Sequence, residues 1–257
     1  MRIRKLDEGV TNRYRSAAVF FGVTLVAAMA VGGLAQAEEP RRVPVGGGTG
    51  LALQWGVPVG SVSLVHFCTL TAIGSDAEGN LVGLTNAHCA YDSARQGAGD
   101  AVFLQSAVEY GPEHDPALGR IGTVDYISGG NPIAPGPHGV GLDYAVIVFD
   151  RSKVNPVATV GDTTIRSISP PPVEGTPVCK QGKTSGRTCG NTLTSMGPYL
   201  VTTVPEFPGD SGAPVVAGEA LIGNQWVWGG SSAMTAILED LDRRGGVGAG
   251  FHLGFAG

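Results

Sequence analysis

Apolar and polar positions alternate in short runs along most of the chain. Runs rich in β-branched and other apolar residues, bounded by Gly, Pro or Asp, lie at residues 61–73, 80–89, 101–107, 119–127, 143–150, 200–205, 213–218 and 219–228. Short strands separated by turn-forming residues are typical of an all-β sandwich or barrel. The stretch 144–149 is apolar on both faces, which predicts a buried central strand.

One helix is predicted near the C-terminal end. The apolar residues at helical spacing are Met234, Ile237, Leu238 and Leu241. We expect a helix over about residues 232–244, with Ser231 or Ser232 as its N-terminal cap and Gly245 as its stop. Packing of one apolar face on a core explains this pattern without any further function.

The first 37 residues are typical of a secretory signal peptide. Basic residues precede an uncharged run at 17–34, and Ala35-Gln36-Ala37 supplies a small-x-small cleavage site. We therefore expect cleavage after Ala37 and a protein that is secreted, extracellular or associated with the cell wall. The alternative is an uncleaved membrane anchor, because the run approaches the ~20 residues that span a bilayer. No later segment predicts membrane contact.

The charge balance argues against a nucleic-acid partner. The whole chain has a net charge of −5. Residues 38–257 are more acidic still, because the first 37 residues hold five basic and two acidic side chains. Binding to nucleic acid normally requires a basic surface. The length of residues 38–257 suits one large β domain or two small barrels.

Four cysteines follow the signal segment, namely Cys68, Cys89, Cys179 and Cys189. An even number in an exported protein indicates two disulfides, and the spacing alone permits three pairings. None of the spacings fits the paired cysteines of a zinc site. We therefore expect neither a metal nor a cofactor.

Three local sequences carry residues for acyl-transfer chemistry. They are "TNAHC" with His88, "LDYAVIVF" with Asp143 and "GDSGAP" with Ser211. Each is weak alone, since histidines usually pack, aspartates often form turns, and G-D-S-G is itself a plausible turn. Together they supply a nucleophile, a base to remove its proton, and a carboxylate to hold the tautomer of that base. Gly209 additionally allows backbone N–H groups to point at a developing oxyanion.

With these motifs the sequence resembles the chymotrypsin-like serine peptidases, and is most similar to the secreted bacterial branch that includes the streptogrisins. A fourth motif, "VCKQGKTSGRTCG" at 178–190, resembles the small disulfide loop that precedes the nucleophile in that branch. The resemblance implies two packed antiparallel β-barrels and a C-terminal helix. The first barrel would span about residues 45–150, and the second about 151–257.

The resemblance also implies residue roles. His88 would be the general base and acid, Asp143 its orienting partner, and Ser211 the nucleophile. The N–H groups of Gly209 and Ser211 would form the oxyanion hole. The implied disulfides are Cys68–Cys89 and Cys179–Cys189. Asp210 would be structural and paired with a buried positive group, either an internal arginine or a new N-terminus released near residues 43–51, after Arg41-Arg42.

Several residues keep two interpretations. Trp226 and Trp228 either form a wall of the substrate pocket or pack inside the barrel. Glu206 either favours a basic substrate side chain or faces water. Asp125 is a weaker candidate than Asp143, because turn residues follow it. The other histidines are expected at the surface or in the core: His66, His114, His138 and His252.

The predicted function is that of a secreted, monomeric serine endopeptidase acting on protein or peptide substrates. One alternative is a protease-fold surface or cell-wall binding protein with little or no turnover. Another is an esterase using the same three residues, although residues 209–213 lack the G-x-S-x-G pattern of α/β-hydrolases. The tail after the helix is expected to add or replace a strand.

Overall fold

A computed structural model describes residues 42–59, 62–92, 97–98, 100–109 and 115–255. The predicted signal peptide, Arg41 and His114 lie outside the described residues. The helices are α1 Ala87–Ala90, α2 Gln105–Val108 and α3 Met234–Arg244, with a 3₁₀ turn at Pro116–Leu118. Within the described part of the chain, no helix combines the length and apolar character needed to cross a bilayer.

The strands of the N-terminal half are β1 Val43–Val45, β2 Gly50–Val59, β3 Val62–Thr69, β4 Ala72–Ser75, β5 Leu81–Thr85, β6 Tyr91–Asp92, β7 Gly97–Ala98, β8 Ala101–Leu104, β9 Gly122–Ile127 and β10 Ala145–Phe149. Those of the C-terminal half are β11 Val154–Pro156, β12 Thr159–Val160, β13 Thr163–Thr164, β14 Ser167–Ile168, β15 Pro177–Gly182, β16 Gly186–Met196, β17 Tyr199–Thr202, β18 Pro214–Ala217, β19 Ala220–Gln225, β20 Gly230–Ala233 and β21 His252–Leu253.

Most of these strands belong to two large sheets. The first has eight strands in the order β21-β4-β5-β10-β9-β8-β2-β3. The second has the order β14-β19-β18-β15-β16-β17-β20, and β19 also pairs with β20, so that strands β15 to β20 close into a barrel. The predicted all-β class is therefore confirmed.

Strand β10 is the buried central strand that the apolar run predicted. It pairs with β5 on one side and with β9 on the other. Ala145, Val146 and Ile147 are fully buried, as is Tyr144 just before the strand. Because the strand has neighbours on both edges and packing on both faces, its end is a rigid place to hold Asp143.

Helix α3 confirms the helical spacing but not the predicted cap. Met234, Ile237 and Leu241 are buried, and Gly245 ends the helix with its N–H bonded to the carbonyl of Leu241. Ser231 and Ser232 were the expected caps, but both are buried in β20, and the cap position belongs to Ala233 without a side-chain bond. The prediction was wrong because pairing with β17 and β19 extends the strand up to the helix.

The tail after α3 adds a strand to the first sheet. Strand β21 pairs with β4, with His252 opposite Ser75. The predicted second barrel, 151–257, included this segment, whereas the pairing puts residues 252–253 in the sheet of the first. The two backbones approach so closely that a Cβ on Gly74 would lie 2.0 Å from the carbonyl oxygen of His252. This pairing involves backbone atoms from opposite ends of the domain, which local sequence patterns do not reveal.

Candidate active site

His88 and Asp143 are in direct contact. Helix α1 carries His88 immediately after β5, and a disulfide between Cys68 and Cys89 fastens this helix to the end of β3. The Nδ1 atom of His88 lies 2.8 Å from Oδ2 of Asp143, and the backbone N–H of His88 donates to Oδ1 at 3.0 Å. A carboxylate can only accept, so this contact favours the proton on Nδ1 and leaves Nε2 to accept another.

Asp143 is fully buried and held by three asparagines. Asn131 donates its side-chain N–H to Oδ2 at 2.6 Å. Asn86 and Asn224 donate theirs to the backbone carbonyl of Asp143, at 2.9 and 3.2 Å. These bonds fix both the carboxylate and the backbone behind it.

The backbone of Asp143 is strained. Its φ is 49°, and among the described residues Trp228, at 52°, is the one other non-glycine residue with positive φ. Such a conformation costs on the order of 1–3 kcal/mol and persists only where surrounding contacts hold it. The asparagine bonds are such contacts for Asp143.

Ser211 lies in a turn with glycines at positions 209 and 212. Both positions require glycine, because the backbone is left-handed and a Cβ would clash with neighbouring atoms. Gly209 and Gly212 have φ of 98° and 87°. A Cβ on Gly209 would lie 2.3 Å from Oγ1 of Thr184, and one on Gly212 would lie 2.1 Å from the carbonyl oxygen of Thr69. The carbonyl of Ser211 accepts the N–H of Thr69 at 2.7 Å. The serine turn is therefore bonded to the same strand end that anchors the helix of His88.

Ser211, His88 and Gly209 line one open cleft with a volume of about 590 Å³. Among the described residues, no acceptor pairs with the N–H groups of Gly209 and Ser211. These two groups are the donors expected at an oxyanion hole. The cleft thus holds a hydroxyl, a partly exposed imidazole backed by a buried carboxylate, and two available N–H groups.

Asp210 forms a buried ion pair with Lys180. Nζ of Lys180 lies 3.0 Å from Oδ2 of Asp210, and both side chains are fully buried. Ser185 donates its hydroxyl to Oδ2 at 2.6 Å, and the N–H groups of Thr184, Ser185 and Phe207 also donate to the carboxylate. Burial acts to raise the pKa of Asp210, but the bonds from Ser185 and Lys180 outweigh it and hold that pKa below its usual value.

The positive partner of Asp210 is thus a lysine. The sequence left an internal arginine and a new N-terminus as alternatives, and neither occupies this place. The segment that was expected to supply a new N-terminus instead forms β1, which pairs with β11. Lys180 follows Cys179, whose disulfide with Cys189 joins β15 to β16. The predicted disulfide loop therefore carries the counter-charge of the serine turn.

The two tryptophans after β19 have different environments. Trp226 is only 5% exposed, donates its indole N–H to Oγ of Ser232 at 3.2 Å, and meets the ring of Tyr199 edge-on. Its ring fills the space beside Gly230, where a Cβ would lie 2.4 Å from the indole. Trp228 is 78% exposed. Both line the cleft, but Trp226 is mainly a packing residue and Trp228 stands at the rim.

Glu206 lies in the cleft and supports Trp228. Its carboxylate accepts the backbone N–H of Trp228 at 2.5 Å and the side-chain N–H of Gln225 at 3.1 Å. Burial raises the pKa of Glu206, and the bonds from Trp228 and Gln225 only partly offset this effect. The carboxylate is therefore neither fully exposed to water nor without donors.

A buried polar network that short sequence motifs do not predict lies behind the site. Thr71 donates to the carbonyl of Gly212 at 2.7 Å, and Asn86 donates to Oδ1 of Asn224 at 2.9 Å. Asn86 stands inside the histidine motif and was the one member with a local signal. Asn131 and Asn224 are far from the motifs they support, so only the fold brings them together.

The remaining candidates lie as follows. His66, expected to be an ordinary core or surface residue, lines the cleft with its ring centroid 6.4 Å from that of His88. Asp125 is exposed on β9 and does not line the cleft. His138 and His252 are exposed. Of these residues within the described part of the chain, His66 alone lines the cleft.

No protein-family model matches the sequence, and no curated protein matches it significantly. Among the solved structures that share the fold are two bacterial proteases. The Nocardiopsis protease is 19% identical, covers 77% of this chain and 96% of its own, and has a TM-score of 0.51. Protease A of Thermobifida fusca is 17% identical, covers 82% of this chain and all of its own, and also has a TM-score of 0.51. The predicted chymotrypsin-like fold of bacterial serine proteases is thus confirmed.

Proposed function

We propose that this protein is a serine endopeptidase with Ser211 as nucleophile, His88 as general base and acid, and Asp143 as the residue that orients His88. The observation that carries the proposal is the 2.8 Å contact between His88 Nδ1 and the buried carboxylate of Asp143, in a cleft that also holds Ser211. The fold shared with two bacterial proteases supports the hydrolase class.

Acylation begins when Oγ of Ser211 attacks the carbonyl carbon of the scissile peptide. The hydroxyl proton passes to Nε2 of His88, and the resulting imidazolium is stabilised by Asp143. The carbonyl electrons move onto oxygen, which accepts the N–H groups of Gly209 and Ser211. Each donor of this kind contributes about 3 kcal/mol in the transition state.

Collapse of this intermediate breaks the C–N bond. The leaving amine takes the proton from His88, and the acyl group remains as an ester on Ser211. Water then attacks the ester and gives a proton to His88, which returns it to Ser211 Oγ as the carboxylic product leaves. The cycle consumes one water and needs no cofactor.

We also propose that the enzyme acts outside the cytoplasm. The disulfides Cys68–Cys89 and Cys179–Cys189 support this location, because disulfides persist mainly in oxidising compartments. The signal segment of residues 1–37 is the sequence feature that predicts it.

The decisive experiment combines a fluorophosphonate probe with a peptide digest. The probe should label Ser211, identified by mass mapping, and the protein should cleave an unstructured protein substrate. Ser211→Ala should abolish both reactions with an unchanged melting temperature, while Ser167→Ala, at an exposed serine of β14, should change neither. No labelling would favour a binding protein, and labelling without peptide cleavage would favour a non-peptide ester as substrate.

A further inference from the structure

The polar side chains that line the cleft beside Ser211 are its reacting groups, Glu206 and His66. Its other described walls are apolar and are formed by Ile133, Ala134, Phe207, Pro208, Trp226, Val227 and Trp228. Ile133, Phe207 and Trp228 are 49%, 58% and 78% exposed. A single exposed apolar residue is normal, but three around one cleft form a continuous apolar surface of the kind that binds ligands.

Trp228 is held at this rim in a strained conformation. Its φ of 52° is unfavourable for a bulky side chain. Because the indole is mostly exposed, packing does little to offset the strain. The other strained non-glycine residue described is Asp143, which contacts His88. An aromatic side chain kept exposed at such a cost indicates a function outside the folded core.

Glu206 and Asp210 hold the backbone of the two aromatic residues at the rim, Trp228 and Phe207. The carboxylate of Glu206 accepts the N–H of Trp228, and the next residue in the chain is Phe207, whose own N–H is held by Asp210. The second oxygen of Glu206 accepts the amide of Gln225. A carboxylate that recognises a cationic side chain needs its oxygens directed at the ligand. Here each oxygen already has a donor from the protein.

Burial further weakens Glu206 as a binding group for cations. It raises the pKa of this carboxyl and so disfavours the charged form. No other acidic side chain among the described residues lines the cleft. The described walls therefore offer extensive apolar contact and little free negative charge.

We infer that the cleft selects a large apolar side chain next to the scissile bond, that Trp228 contacts this side chain, and that Glu206 supports Trp228 without reading charge. This inference rests on the proposed peptidase function and specifies its substrate class. It replaces the basic preference that Glu206 suggests from the sequence alone.

Fluorogenic peptides that differ only in the residue before the cleaved bond test the selectivity. We expect kcat/KM for Phe or Leu to exceed that for Ala, Lys or Glu by about tenfold or more. A Lys peptide cleaved as fast as the Phe peptide would overturn the inference. Glu206→Gln should leave the ratio of Phe to Lys cleavage unchanged, and a selective loss of Lys cleavage in this variant would also overturn it.

Variants of Trp228 test its contact with substrate. Trp228→Asn removes the ring but tolerates the left-handed backbone, so kcat/KM for the Phe peptide should fall roughly tenfold with an unchanged melting temperature. Trp228→Phe should retain most of the activity. Met196→Ala, at a residue 59% exposed outside the cleft, serves as the control and should have no effect. Equal activity of Trp228→Asn and wild type would contradict the assignment.

A small fluorophosphonate separates this inference from the proposed function, because it reacts with a serine nucleophile and has no side chain to select. Wild type and Trp228→Asn should be labelled at Ser211 at equal rates. Labelling of wild type without an apolar preference would overturn the inference alone. Absence of labelling and of cleavage would overturn the proposed function, and the inference with it.

Discussion

Nζ of Lys180 lies 3.0 Å from a carboxylate oxygen of Asp210, and neither side chain is exposed. The pair connects the hairpin of β15 and β16 to the residue immediately before Ser211. Two buried charges are tolerated only together, because either one alone would remain unsolvated. The position of Ser211 therefore depends on Lys180, a side chain 31 residues earlier in the chain.

Lys180→Met should lower the free energy of unfolding by about 3–5 kcal/mol, because it leaves the Asp210 carboxylate buried without its counter-charge. Urea unfolding measures the change. The control is Arg166→Met, which removes a well-exposed ion pair with Glu219 and should cost less than about 1 kcal/mol. If both variants lowered the free energy of unfolding equally, the buried pair would contribute no more to stability than an exposed one.

Activity should not require a new N-terminus. Lys180 already supplies the positive charge that Asp210 needs, and residues 43–45 are engaged in pairing with β11. Replacing Arg41 and Arg42 by Ser should therefore leave kcat/KM unchanged, with intact mass confirming that the chain is not cut near residue 43. Activity that begins only after cleavage near residue 43 would show that processing is needed.

Asp210 should make the protein sensitive to acid. Its pKa is held below the ordinary value of 3.8, so the carboxylate stabilises the fold above about pH 4 and this contribution is lost as the pH falls below that value. Ser185→Ala removes a donor at 2.6 Å from Asp210, so the free energy of unfolding should fall less between pH 5 and 2 in this variant than in wild type. Asp76, whose pKa is also lowered, contributes equally in both proteins. Urea unfolding at each pH measures this free energy. If its dependence on pH were the same for wild type and Ser185→Ala, the role given to Ser185 would be contradicted.

Asn131 should position the catalytic carboxylate. Asn131→Ala removes the 2.6 Å bond to Asp143 and leaves a buried oxygen without that donor, which costs about 1–3 kcal/mol. We expect kcat to fall roughly ten- to hundredfold with little change in KM.

The control for Asn131 is Asn155→Ala, at an exposed asparagine in β11. It should alter neither kcat nor KM. A variant of Asn131 that loses stability but keeps the wild-type kcat would show a purely structural role for this residue.

Sequence patterns were sufficient where the relevant contacts are local. Gly209 and Gly212 flank Ser211, so a short motif predicts the turn, and the histidine motif itself contains the cysteine that anchors His88. The apolar run predicts the buried strand that ends at Phe149. The conformational freedom of glycine predicts that the helix stops at Gly245. The same local evidence separates Asp143, at the start of a buried strand, from Asp125.

Other features depend on contacts between distant segments. Asn131 and Lys180 have no pattern of their own, since their importance comes from the carboxylates they meet after folding. Trp226 and Trp228 are equivalent in the sequence, and only the turn after β19 buries the first and exposes the second. The caps expected at Ser231 and Ser232 failed for the same reason, because strand pairing overrode the local preference.

The pairing of β21 with β4 constrains the order in which the chain can fold. During synthesis, residues 74–75 emerge well before their partners at 252–253. Until those partners emerge, this edge of the first sheet offers unpaired backbone groups to any neighbouring chain. Folding from the N-terminus one barrel at a time would leave that edge open, so its protection against aggregation is completed only when β21 is added.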